Sequence, residues 1–197
     1  MFRTETYISR RNELKQRVGS GLIILFGNNE APFNGPANAY APFRQDASFL
    51  YYFAQHRDGL VGVIDNDKEY LFGNDIDIED IVWFGSVDSV ADLALQAGIK
   101  TTAPMDQLKA LVDKAKAKGQ TIHFLPPYRF DTQIQIMDLL GIHPSKQKAT
   151  ASLQLIHAVV AMRSTKAAEE IQLIDNACDV GYLMHTTAMK NCRPGVF

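Results

Sequence analysis

The segment from Asn38 to Phe53, which reads NAYAPFRQDASFLYYF, constrains the fold more than any other part of the chain. A compact polar triplet, Arg44-Gln45-Asp46, leads into the most aromatic run of the sequence, Phe49-Leu50-Tyr51-Tyr52-Phe53. An apolar run of this length, bounded by polar residues and without alternation, is typical of a strand buried on both faces. We therefore expect a central strand here, with the polar triplet at its mouth.

The remainder of the first 150 residues alternates between helical and strand patterns. The predicted strands are Leu22–Phe26, Gly59–Ile64, Glu69–Phe72 and Thr121–Leu125, and the predicted helices are Thr4–Val18, Val87–Ala97, Met105–Lys118 and Thr132–Leu140. The polar cluster Asp65-Asn66-Asp67-Lys68 suits a hairpin turn between the second and third of these strands. This alternation predicts an α/β domain with a mixed sheet and helices on its faces.

The pattern becomes entirely helical from residue 152 onward. Two helices are predicted, Ser152–Met162 and Lys166–Asn191, and the longer one carries an apolar stripe. His185 lies on that stripe and is interpreted as a core histidine rather than a metal ligand. The stripe needs a partner surface, which the sequence up to Phe197 does not obviously provide.

Charge and cysteine content argue against several classes of partner and favour a reducing compartment. Lys and Arg total 20 against 22 for Asp and Glu, so the formal net charge of −2 gives no basic footprint for nucleic acid or an anionic membrane. The two cysteines, Cys178 and Cys192, resemble neither a metal pair nor a disulfide framework. The charged N-terminus does not resemble a signal peptide, and no run has transmembrane length. We expect a cytoplasmic protein.

A search for catalytic motifs gives mostly negative results. The sequence lacks GxGxxG, P-loop, HExxH, GxSxG and CxxC motifs, and its five histidines are scattered. The acidic cluster Asp75, Asp77, Glu79 and Asp80 is interpreted as a solvated turn entering a helix rather than a cation site. Trp83, judged by its apolar neighbours alone, is interpreted as a core residue. The triplet at 44–46 is interpreted as a loop anchor, with a catalytic role left open.

Three stretches of the sequence resemble one known family. The pieces FRQDASFLYYF, IVWFG and MRSTKAAEEIQLIDNACDVGYLMHTTAMKNCRPGVF, in this order, resemble the N-terminal half of aminopeptidase P, the Xaa-Pro aminopeptidase of the creatinase and prolidase superfamily. The resemblance covers the whole chain. It implies a creatinase-type α/β domain over residues 1–150, a linker helix and connection over 151–165, and the first helix of a truncated pita-bread catalytic domain over 166–197.

The resemblance also implies a chemistry that this chain does not perform alone. Members of the family remove the N-terminal residue that precedes proline, using two bridged divalent metals, usually manganese, held by two Asp, one His and two Glu. Those positions lie in the catalytic domain, and none is reached before Phe197. The resemblance thus implies that this chain has no catalytic residue, metal ligand or cofactor of its own, and that it is inactive without the catalytic domain.

The role that the resemblance implies for the chain is oligomer formation and control of access to the active site. The tryptophan that matches Trp83 reaches into the active site of a neighbouring subunit, and Asn38 and Arg44 are expected near the same cleft. Asn38 is uncharged where the resemblance leads us to expect an acidic residue in a relative, which argues against a charge-based role there. The implied partners are the chain's own catalytic domain, neighbouring subunits and, for the full-length enzyme, short proline-containing peptides.

Two other interpretations of the sequence stay open. The first is the N-terminal domain of a prolidase, an Xaa-Pro dipeptidase with the same fold and metals that acts only on dipeptides. The second is a stand-alone binding module that kept the architecture without the metals.

Overall fold

A mixed five-stranded sheet forms the centre of the first 160 residues. The computed structural model describes residues 2–32, 43–66, 68–78, 81–82 and 85–195. Within them the strands are β1 Leu22–Phe26, β2 Val61–Asp65, β3 Lys68–Phe72, β4 Thr101–Ala103 and β5 Ile122–Phe124. The order is β4-β3-β2-β1-β5; the β1–β2 and β2–β3 pairs are antiparallel, and the β1–β5 and β3–β4 pairs are parallel. The predicted fold class, a mixed sheet flanked by helices, is confirmed.

Helices follow the strands along most of the chain. Their bounds are α1 Thr4–Val18, α2 Ala47–Phe53, α3 Val90–Gln96, α4 Asp106–Ala117, α5 Phe130–Leu140, α6 Pro144–Thr150, α7 Leu153–Ser164 and α8 Ala168–Asn191. The chain divides into two compact units, residues 1–160 and 161–197. None of the helices in the described ranges is long and apolar enough to cross a membrane.

The aromatic run forms a helix, so the prediction of a buried strand over 49–53 is wrong. Asp46 caps α2: its Oδ1 accepts hydrogen bonds from the backbone amides of Ser48 at 2.9 Å and Phe49 at 2.8 Å. A run of only five apolar residues cannot distinguish a strand from a buried helix, because neither period is expressed over that length. The helix signal that the sequence did contain was Asp46, a favoured N-cap residue directly before the run.

The aromatic side chains of α2 pack against the sheet instead of lying within it. Phe49 and Phe53 stack with their ring centroids 5.3 Å apart, and both are fully buried. Phe53 lies over Gly62 of β2 so closely that a Cβ atom on Gly62 would come within 2.2 Å of the ring. The glycine therefore provides the space in which the helix approaches the sheet.

The other predicted elements of the sheet domain are found with small shifts at their ends. The hairpin is confirmed by the β2–β3 register, in which Asp65 lies opposite Lys68, and Asn66 turns with a φ of 49°. Two elements were missed. The three residues of β4 are too few to show a pattern, and α6 begins at Pro144 with His143 as its N-cap, a signal that the sequence contained.

The last helix, α8, has no buried residue. His185 is exposed, so its interpretation as a core histidine is not what the structure shows. The apolar stripe that was expected to cover it is present on α8, but its large side chains are exposed as well. The stripe alone therefore does not create a core.

A buried guanidinium ties the first helix to three other elements. The side chain of Arg11 donates to Glu69 at 2.8 Å, to the Tyr52 carbonyl at 2.8 Å and to the Ala97 carbonyl at 2.8 Å. Burial lowers the pKa of Arg11, and the carboxylate of Glu69 opposes that shift. Lys15 binds the second oxygen of the same carboxylate at 3.1 Å. These bonds connect α1 to the end of α2, to β3 and to the residue after α3.

We expect Arg11→Met to lower the free energy of unfolding by about 3 kcal/mol, since it removes the donor to one oxygen of the partly buried Glu69 carboxylate and to two carbonyls. The control is Arg17→Met on the same helix, which removes a pair with Glu13 whose side chains are 45% and 47% exposed. That change should cost no more than about 0.5 kcal/mol. Urea denaturation measures both, and equal costs for the two variants would contradict the assignment.

We expect Gly62→Ala to lower the free energy of unfolding by about 1–3 kcal/mol, because the added methyl group collides with the Phe53 ring. In a Phe53→Ala background the same change should cost clearly less, since the ring is gone. A double-mutant cycle by urea denaturation measures this coupling. An equal cost in both backgrounds would mean that Phe53 does not limit the space at Gly62.

Candidate functional site

Polar side chains from two connections, β1–α2 and β5–α5, meet at one edge of the sheet. Because β1 and β5 are parallel neighbours, their carboxyl ends lie at the same edge. Asn28 follows β1, Gln45 and Asp46 precede α2, and Tyr128 and Arg129 follow β5. We call these five residues the anchor cluster. In mixed and parallel sheets this edge is where binding residues commonly gather.

Gln45 connects the two ends of the long β1–α2 connection. Its side-chain oxygen accepts hydrogen bonds from the backbone amides of Asn28 and Asp46, and its amide nitrogen donates to the carbonyl of Arg57 at 2.7 Å. Gln45 is buried, with 7% of its surface exposed. A buried amide with all these bonds made fixes the positions of the backbone groups that it contacts.

The neighbouring residues of the triplet contribute to the same arrangement. The carbonyl of Arg44 accepts a hydrogen bond from the Asn28 side chain at 2.8 Å, while the Arg44 side chain is exposed. Asp46 uses one carboxylate oxygen to cap α2 and the other to accept a hydrogen bond from the Tyr128 hydroxyl at 3.1 Å. The bonds of Gln45 and Asp46 are those of loop anchors, in agreement with the structural interpretation of the triplet.

The other predicted site residues are placed as follows. Asn38 and Trp83 lie outside the described residues, so their predicted cleft positions stay predictions. In the acidic cluster, the Asp75 carboxylate accepts a hydrogen bond from the backbone amide of Val90 at 2.6 Å, at the start of α3. Glu79 and Asp80 also lie outside the described residues. Over the ranges that the structure describes, no group of three or more His, Cys, Asp or Glu side chains could hold a metal ion.

Sequence reasoning missed Asn28, Tyr128 and Arg129. The Asn28 side chain donates to the Tyr128 hydroxyl at 3.2 Å, and Arg129 donates to the carbonyl of Asn29 at 2.9 Å. A small cleft beside these groups is lined by Asn28, Asp46, Tyr128 and the proline pair that follows β5. The turn residues after each strand were visible in the sequence, but only the parallel pairing of the strands brings them together.

The electrostatics around the anchor cluster favour a protonated Tyr128 and an ionised Asp131, the partner of Arg129. Burial of its hydroxyl raises the pKa of Tyr128; the hydrogen bond from Asn28 opposes this shift and the nearby Asp46 carboxylate adds to it. Burial also works against ionisation of Asp131, but the hydrogen bonds and charge of Arg129 outweigh it, so the pKa of Asp131 is lowered. At neutral pH Tyr128 is therefore a hydrogen-bond donor and Asp131 is a carboxylate.

Comparison with known proteins shows one family. A family model described as "Aminopeptidase P, N-terminal domain" matches residues 7–123. The Xaa-Pro aminopeptidase of Escherichia coli is 25% identical over 199 residues, covering 95% of this chain and 45% of the relative. A probable Xaa-Pro aminopeptidase of Chaetomium globosum is 25% identical over 175 residues, covering 88% of this chain and 28% of the relative. The chain thus spans less than half the length of these relatives.

Solved structures show the same fold. Aminopeptidase P from E. coli in its low-pH form superposes with a TM-score of 0.80 at 22% identity, covering all of this chain and 47% of that chain. Pseudomonas aeruginosa aminopeptidase PepP superposes with a TM-score of 0.81 at 21% identity, with the same coverage. At this level of identity the similarity establishes the architecture alone.

We expect the Tyr128 hydroxyl to make stability depend on pH in the alkaline range. Its folded-state pKa lies above the unfolded value of about 10, so the native state holds the proton more tightly. This contribution is complete below pH 10 and is lost as the pH rises from 10 through the folded-state pKa. Relative to Tyr128→Phe, the wild type should lose stability over that window, as measured by urea denaturation at several pH values.

A difference between wild type and Tyr128→Phe that stays constant as the pH rises from 10 would contradict the assignment.

Proposed function

The chain belongs to the family of the aminopeptidase P N-terminal domain, and we propose that it is the non-catalytic N-terminal part of a metal-dependent Xaa-Pro aminopeptidase. The observation that carries this proposal is the family match over residues 7–123, in a chain that spans less than half of relatives named Xaa-Pro aminopeptidase. The full-length protein would release the N-terminal residue that precedes proline.

We assign the chemistry to the part of the full-length protein that follows in the relatives. The described residues do not supply a donor set for a metal, so they do not fit the two divalent ions of the proposed mechanism. We propose that these two ions are manganese. Such ions supply an activated water and polarise the scissile carbonyl. The bond before proline needs a dedicated enzyme because its nitrogen carries no hydrogen for a general peptidase to bind.

The second element of the proposal is that the domain builds oligomers and limits access to the active site. Trp83, Asn38 and Arg44 are the residues that we assign to the substrate cleft, with Trp83 entering the cleft of a neighbouring subunit. Two apolar side chains close to Trp83 in the sequence, Ile78 and Val82, are 78% and 79% exposed. Apolar side chains exposed together in one segment are typical of a contact surface.

The third element concerns α8, which we propose to be the first helix of the catalytic domain. Its exposed apolar side chains are Ile171, Leu173, Ile174, Val180, Tyr182, Leu183, Met184 and Met189. We propose that the remainder of the catalytic domain covers them, with residues 151–165 as the connection and 166–197 as the start of that domain. We also propose a cytoplasmic location, which the two free cysteines support.

We expect the full-length protein, loaded with manganese, to cleave an Xaa-Pro-Xaa tripeptide and the chain of 197 residues to show no cleavage. Cleavage of an Xaa-Pro dipeptide in preference to the tripeptide would favour a prolidase, and no cleavage of either by the full-length protein would favour a binding module.

In the full-length protein, Trp83→Ala should raise KM for the tripeptide about tenfold or more, whereas Leu95→Ala, at an exposed position of α3, should not. Unchanged kinetics for Trp83→Ala would contradict its place in the cleft.

A further inference from the structure

Both ends of the segment between Asn29 and Arg44 are tied to the same short connection after β5. At the first end, Asn28 donates to the Tyr128 hydroxyl at 3.2 Å and the carbonyl of Asn29 accepts from Arg129 at 2.9 Å. At the second end, the Tyr128 hydroxyl donates to Asp46 at 3.1 Å. The Tyr128 hydroxyl thus contacts both ends of the β1–α2 connection, although these ends are sixteen or more residues apart in the sequence.

The connection that carries these two side chains is stiff. It begins with Pro126-Pro127, and proline fixes φ near −65° and has no N–H. Before it, β5 is held in register against β1, with Ile24 opposite Phe124. After it, Arg129 is the N-cap residue of α5. The hydroxyl of Tyr128 and the guanidinium of Arg129 are therefore placed by elements that do not belong to the segment they contact.

A further residue orients the guanidinium. Asp131, in the first turn of α5, accepts hydrogen bonds from Arg129 Nε at 3.0 Å and from Nη2 at 3.1 Å. This forked pair restricts the plane of the guanidinium, so that Nη2 also reaches the carbonyl of Asn29. The lowered pKa of Asp131 keeps its carboxylate charged in this role at neutral pH.

We propose that Tyr128 and Arg129 are positioning residues that hold the chain at Asn28, Asn29 and Asp46 in place at the carboxyl edge of the sheet. The inference rests on the proposed function for its consequence, since that function places Arg44, whose carbonyl accepts a hydrogen bond from Asn28, at a substrate cleft. Neither Tyr128 nor Arg129 needs to touch substrate. Their effect is to fix these positions, and with them the Arg44 carbonyl, before substrate binds.

Hydrogen exchange in the chain of 197 residues tests the proposal directly. The reporters are the backbone amides of Asn28, which donates to Gln45, and of Phe49, which donates to Asp46. In Tyr128→Phe these amides should exchange about threefold to tenfold faster, the range expected when one hydrogen bond is lost. The amide of Val63 in β2 should not change, which separates a local effect from a loss of global stability.

We call the contacts of Tyr128 and Arg129 with Asn28, Asn29 and Asp46 the clamp. Matched variants distinguish it from a general effect of removing a polar group. Tyr182→Phe, at an equally exposed tyrosine on α8, should leave all reporters unchanged. Arg129→Met should accelerate exchange at Asn28, and Arg129→Lys, which keeps a charged donor beside Asp131, should restore at least half of the lost protection. Unchanged exchange at Asn28 and Phe49 in both Tyr128→Phe and Arg129→Met would overturn the proposal.

Kinetics of the full-length enzyme separate this proposal from the proposed function. With an Xaa-Pro-Xaa tripeptide, Tyr128→Phe should raise KM about threefold or more and leave kcat within a factor of two, because the clamp prepares the cleft and does not act on the scissile bond. Faster exchange together with an unchanged KM would support the clamp and count against the cleft. Unchanged exchange would overturn the clamp whatever the kinetics show.

Discussion

The parallel pairing of β1 with β5 is the constraint on which the anchor cluster depends. It places Ile24 opposite Phe124, so the chain leaves both strands at the same edge of the sheet. Asn28 and Tyr128 come within hydrogen-bond distance although they are separated by 100 residues in the sequence. An antiparallel pair would send these residues to opposite edges, and the β1–α2 connection would then lose its second set of contacts.

The sequence predicted the alternation of elements well, because amphipathic helices and hairpins carry local signals. Thr4–Val18 and Leu22–Phe26 were predicted with their observed bounds. The failure over 49–53 has a local cause, since five apolar residues show no period and the capping residue was assigned to a loop. The error also changes the architecture. The aromatic segment does not form the central strand; its side chains pack on one face of the sheet, where Phe53 lies over Gly62.

The candidate site was half predictable, and the missing half was set by tertiary structure. Gln45 and Asp46 were recognisable as anchors because they are polar residues directly before a buried run. Their partners Asn28 and Tyr128 are ordinary loop residues whose role depends on a strand order that no local pattern encodes. The parallel edge, rather than any motif, brings the two ends of the β1–α2 connection and the β5–α5 connection into one cluster.

The buried contacts and the exposed apolar residues of this chain serve different purposes. The free energy of folding of the first unit comes from side chains that are already covered, such as Leu22, Val63 and Phe72. Ile78 and Val82 and the apolar side chains of α8 keep about half or more of their surface exposed. Any partner that covered them would gain a transfer free energy in proportion to the apolar area removed from water. A fold that is stabilised by its covered side chains can thus leave these apolar side chains exposed, as the proposed contacts with a catalytic domain and a neighbouring subunit would require.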